Sequence, residues 1–193
     1  MVNKFFVLFL LILLTGSFAF GTTTAVIWTF PNADLTPAPD FFDNAYGVPL
    51  LEVDSCYWID EIDGYTGVWP LSGQIDVYIP NTDITDPDTH KEILLTLIWK
   101  PNVVNTILPE LPLVAITPFK KIELQQIDID LGNGWTESTF NITVWPNPTE
   151  EWLTIKGDIM VDSLTIATMC VPEPATIAML GLGGLALISK RRV

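Results

Sequence analysis

From residue 22 to residue 170 the chain is broken into short runs, and within those runs apolar side chains recur at every second position. No stretch keeps a helical apolar period through three turns. The 15 prolines fall mostly between the runs, where a missing N–H and a fixed φ end a strand without disrupting a ladder. Residues 24–30 (TAVIWTF) are β-branched and aromatic, as a strand prefers. In residues 73–79, Ile75, Val77 and Ile79 share one face, and Gln74, Asp76 and Tyr78 the other. Residues 92–99 (EILLTLIW) are more continuously apolar, which predicts a strand covered on both faces. Residues 121–130 (KIELQQIDID) alternate until Gln125 and Gln126, where the phase slips by one; the slip predicts a β-bulge or bend. Asn133-Gly134 supplies a turn, and Phe140, Ile142 and Val144 mark one face of the next strand. Residues 152–156 and 159–169 flank Gly157-Asp158, which predicts a two-residue hairpin with glycine leading. The expectation is an all-β domain, an antiparallel two-sheet sandwich of jelly-roll-like winding with about eight to ten strands.

The two ends differ from this body. Residues 1–21 carry Lys4, an apolar run over residues 5–14, then Ser17, Ala19 and Gly21 spaced for a signal peptidase; this predicts a signal helix. Residues 175–189 are uncharged and mostly apolar, and Lys190, Arg191 and Arg192 follow. As a helix this run would span roughly 22 Å, a short transmembrane segment against the roughly 30 Å hydrocarbon core, with the basic tip held on the cytoplasmic side. A plain membrane anchor is the alternative. Away from the ends the only cations besides His90 are Lys91, Lys100, Lys120, Lys121 and Lys156, set against 23 acids in the whole chain. That surface repels phosphate backbones and excludes nucleic acid as a partner.

Val171-Pro172-Glu173-Pro174, the short apolar span and the Lys-Arg-Arg cluster together resemble the PEP-CTERM sorting signal. The resemblance implies export through the inner membrane, recognition of Pro172, Glu173 and Pro174 by exosortase, and processing of the tail in cells that also make exopolysaccharide. More loosely, the early WTF strand, LSG before VYIPN, the PNP segment and the closing DSLTIATMCVPEP resemble small uncharacterised PEP-CTERM ectodomains. That resemblance implies a secreted β-sandwich, with no catalytic residues and no assigned ligand. The domains expected are a signal peptide (1–21), the β-sandwich (22–170) and the sorting signal (171–193).

Few residues carry chemistry. Two cysteines in an exported protein read first as a disulfide, Cys56 with Cys170; buried free thiols or lipidation are the alternatives. The loop holding Asn81, Asp83, Asp86 and Asp88 offers the oxygen ligands Ca²⁺ takes, without the spacing of an EF-hand; a solvated loop is the alternative. Asp54, Asp60, Glu61 and Asp63 form a second acidic group. His90 is the only histidine, so zinc sites needing two or three are excluded, and it reads as a surface residue in a mobile loop. Of seven tryptophans, Trp28 and Trp99 lie in apolar strands and read as core. Trp58, Trp69 and Trp135 lie near turns and polar residues, where exposed rings could stack on sugar. The function expected is that of an exported cell-surface or matrix protein, structural or adhesive, in contact with exopolysaccharide or with itself. A carbohydrate-binding module comes next, then a small polysaccharide hydrolase or lyase, which would need a paired-carboxylate cleft. No cofactor other than Ca²⁺ is implied.

Overall fold

A computed structural model describes residues 23–55, 57–71, 73–81, 89–102, 113–117 and 121–172. Both terminal helices expected from the sequence lie outside these residues. The described chain forms twelve strands: β1 (Thr23–Trp28), β2 (Phe41–Asp43), β3 (Leu50–Val53), β4 (Ile59–Ile62), β5 (Tyr65–Pro70), β6 (Gln74–Pro80), β7 (Thr89–Pro101), β8 (Leu113–Thr117), β9 (Lys121–Gly132), β10 (Trp135–Trp145), β11 (Glu150–Lys156) and β12 (Ile159–Pro172). They make two antiparallel sheets. The larger runs β2-β1-β12-β7-β10-β9, with β5 joined to β12 and β4 to β5; the smaller runs β3-β6-β11-β8. Successive strands cross repeatedly between the sheets, and β1 and β12 lie side by side.

Alternation decides which side chains meet. Val26 and Trp28 of β1, Ile93, Leu95, Leu97 and Trp99 of β7, Phe140, Ile142 and Val144 of β10, and Leu164 and Ile166 of β12 point inward from the large sheet. They pack on Ile75, Val77, Ile79, Leu153 and Ile155 of the small one. A second, smaller cluster forms where the β4–β5 hairpin folds onto one end of the large sheet's outer face. Val68, Trp135 and Met160 are buried there, with Ile59, Ile62, Tyr65 and Ile98 packed around them. This hairpin turns through Asp63 and Gly64, both at positive φ. Gly67 has no room for a side chain, since a Cβ there would lie 2.1 Å from the Phe30 carbonyl oxygen.

Three local expectations change. Gly157-Asp158 does not close a hairpin: β11 pairs with β6 and β8, whereas β12 pairs with β1, β5 and β7. The pair carries the chain from one sheet to the other. At Gln125 and Gln126 the β9–β10 register continues unbroken, and the shift falls instead between Trp135 and Thr136. The apolar phase slips because β9, paired on one side only among the described residues, is exposed on both faces. Leu124 lies opposite inward Ile142, whereas Ile127 and Ile129 lie opposite outward Thr139 and Glu137. Finally, β7 alternates in burial along most of its length, and the second cluster covers its outer face only near Ile98.

Candidate binding trough and buried polar cluster

Beyond the β4–β5 hairpin the outer face of the large sheet is open among the described residues, and register sets its side chains in rows across the strands. One row runs Thr23, Met169, Glu92, Thr143 and Glu123, from β1 to β9. The next runs Asp43, Ala25, Ala167, Leu94, Asn141 and Gln125, from β2 to β9. Small Ala25 and Ala167 lower the floor of the second row, and together the rows line a trough of about 540 Å³. Six strands at about 4.8 Å spacing give it a length of roughly 24 Å. Its polar groups are hydroxyls, carboxamides and carboxylates, a mixture that suits the vicinal hydroxyls of a sugar chain. Glu92 and Glu123 are both exposed.

Aromatic rings lie elsewhere. On the outer face of the small sheet Leu50, Tyr78 and Trp152 stand in one row. Tyr78 and Trp152 have ring centroids 4.8 Å apart, and Trp152 is 45% exposed. Its indole N–H donates to Glu150 at 3.4 Å, and the adjacent row holds Asp76, which accepts from the Thr154 hydroxyl at 2.6 Å. The rings singled out by sequence behave otherwise. Trp69 and Trp135 are buried, and Trp135 stacks on Tyr65 at 4.1 Å. Trp58 is partly buried against the main core, and its N–H donates to the Phe30 carbonyl at 3.1 Å. Each lies under the β4–β5 hairpin or against the core edge, where large rings contribute most by burial. Neither Trp69 nor Trp135 presents a free stacking face.

The other candidates also move. His90 lies in β7 rather than in a loop, tilted against Trp145 with centroids 5.2 Å apart and 3.4 Å from Glu92 Oε1. Asp83, Asp86 and Asp88 lie outside the described residues. Asn81 faces inward, its amide donating to Pro148 O, Glu151 Oε1 and Asn147 Oδ1. Among the described residues no group of three or more His, Cys, Asp or Glu side chains could hold a metal ion. Of the second acidic group, Asp63 pairs with Lys100, whose bond lowers the carboxyl's pKa.

The expected disulfide is corrected. Cys170 carries a free, buried thiol, 3.7 Å from Lys91 Nζ and 3.5 Å from Asn147 Oδ1. Cys56 lies outside the described residues.

Around Cys170 lies a feature that the sequence reading passed over. Lys91 of β7 and Glu151 of β11 point into the sandwich from opposite sheets and meet at 3.1 Å, both almost fully buried. Burial raises the Glu151 pKa, with Lys91 and Asn81 opposing. Asn147, whose backbone N–H donates to Thr89 O, completes the cluster.

An exported-type β-sandwich thus carries a trough on one sheet and an aromatic pair on the other. Its last strand, β12, runs into a sorting tail. Residues 171–192 match the model of the PEP-CTERM protein-sorting motif. The chain therefore bears the address of a protein that is exported, recognised by exosortase and sorted to the cell envelope or surface. Val171 and Pro172, which open the motif, lie in β12 opposite His90 and Thr89; Glu173 and Pro174 lie outside the described residues. Among the described residues no helix is long and apolar enough to cross a membrane. No curated protein and no solved structure matches the chain.

Proposed function

We propose that the β-sandwich is a structural or adhesive component of the cell surface or extracellular matrix that holds a strand of exopolysaccharide in the trough across its large sheet. The trough itself carries this reading. It is concave and of ligand size, lined by hydroxyl, amide and carboxylate side chains, and long enough for several sugar units. Export removes residues 1–21. The tail holds the protein in the inner membrane until exosortase acts at Pro172, Glu173 and Pro174, and Glu173→Ala should leave the protein membrane-bound on fractionation. Retardation in gels cast with the cell's own exopolysaccharide tests the trough. Ala167→Trp, which fills the floor, should abolish retardation while leaving the melting temperature close to that of the parent. Unchanged retardation would refute the trough as the site. The Tyr78–Trp152 pair supports a second reading, a stacking platform on the small sheet. Loss of retardation in Trp152→Ala, with Ala167→Trp unaffected, would move the site there.

A further inference from the structure

We propose that Lys91 and Asn81 become joined by an intramolecular amide cross-link, formed with Glu151 as the proton-transfer group. The parts are held in one buried pocket between the sheets. Glu151 Oε1 lies 3.1 Å from Lys91 Nζ and 3.1 Å from Asn81 Nδ2, so a single carboxylate oxygen touches both the nucleophile and the leaving nitrogen. The Asn81 amide is fixed further by Pro148 O at 2.6 Å, and Lys91 by Cys170 behind it. Asn81 rather than Asn147 is assigned as the electrophile because its amide nitrogen is the one that donates to Glu151 Oε1.

In the step proposed, one proton first passes from Lys91 to Glu151, which leaves a neutral amine beside a neutral acid. Burial raises the Glu151 pKa in the same sense. Glu151 Oε2 and Asn81 Oδ1 are also buried without a hydrogen-bond partner among the described residues. A proton on Glu151 supplies the donor that such acceptors lack, and a donor on the Asn81 carbonyl would polarise it for attack.

The step balances without any co-reactant. Lys91 Nζ attacks Asn81 Cγ, and the Nζ–Cγ bond forms as Cγ–Nδ2 breaks. Glu151 accepts one proton from Nζ and delivers one to the departing nitrogen, ammonia leaves, and Glu151 is regenerated as the acid. Nothing is oxidised or reduced. The product ties the end of β6, in the small sheet, to the start of β7, in the large one.

Mass spectrometry of the exported full chain, recovered from cells and unfolded before digestion, decides the matter. A protease that cuts before aspartate cleaves at Asp83, Asp86 and Asp88, between the two residues. The expected result is a branched peptide joining the Asn81 and Lys91 fragments, lighter than their sum by one ammonia, with Lys91 refractory to trypsin. Asn81→Asp should give the same product by loss of water. Glu151→Gln should remain unlinked at full mass while keeping native tryptophan fluorescence. Separate fragments from the parent protein would overturn the proposal, as would a link from Lys91 to Asn147 or a cross-linked Glu151→Gln. Loss of ammonia without a branched peptide means cyclisation of asparagine alone and also counts against it. These outcomes do not depend on whether the trough binds polysaccharide.

Discussion

Strand β7 ends in two lysines nine residues apart, and each has a carboxylate partner in a different solvent. Lys91, in the inward register, meets Glu151 in the interior at 3.1 Å, with both side chains nearly inaccessible. Lys100, in the outward register, meets Asp63 at the surface hairpin and lies 5.3 Å from the centre of the Trp135 ring. With the same pair of chemical groups, the acid's pKa is raised in one place and lowered in the other. Around Glu151 desolvation outweighs the attraction of Lys91. Around exposed Asp63 the hydrogen bond from Lys100 outweighs desolvation. What an ion pair does here is decided by the water it has lost rather than by its partner.

The largest test breaks the interior pair. Lys91→Met leaves a buried carboxylate uncompensated and should destabilise the domain by about 3–5 kcal/mol in denaturant unfolding. Adding Glu151→Leu should recover the part due to the stranded charge and leave the part due to the cross-link. A double variant as weak as the single one would show that charge desolvation is not the cost at this site.

A pH series then separates the two acids by sign. Glu151 holds its proton more tightly when folded. It therefore adds stability below the ordinary carboxylate range, and that contribution is lost as pH rises through its raised pKa. Asp63 is the reverse: it adds stability above its ordinary value, lost as pH falls through its lowered pKa. The stability difference between parent and Glu151→Gln should fall with pH, and that between parent and Asp63→Asn should rise. Parallel slopes would erase the contrast.

The smallest effect belongs to the surface pair. Asp63→Asn should shift the melting temperature slightly at low salt and not at all in molar salt, because exposed pairs are screened. A salt-independent loss would mean that Lys100 acts through the Trp135 ring.

Much of the fold was legible because burial obeys alternation. The inward positions Ile75, Val77 and Ile79, and Phe140, Ile142 and Val144, stand in the sequence as they stand in the core. The interior ion pair escaped because the strand boundaries read from apolar runs began at Glu92 and Trp152. Extending each alternation back one residue puts Lys91 in line with Ile93, Leu95 and Leu97, and Glu151 in line with Leu153 and Ile155. A charge at an inward position was the available signal. Trp69 and Trp135 are buried where exposure was expected, for a different reason: proximity to turns suggests exposure, but the β4–β5 turn folds back over Trp135. No local pattern encodes that long-range packing. The trough was invisible for the same cause, since its rows gather residues from six strands and exist only once the register is known.

The position of β12 sets how the domain answers to force. The strand lies between β1 and β7 in antiparallel ladders, and its final residues open the sorting motif. Tension applied through the tail, from a membrane or a matrix, pulls along the strand axis and loads the rungs of both ladders together instead of peeling them in turn. Such a strand yields only when many rungs fail at once, so the body should stay folded under tugs that would unravel a chain leaving from a sheet edge.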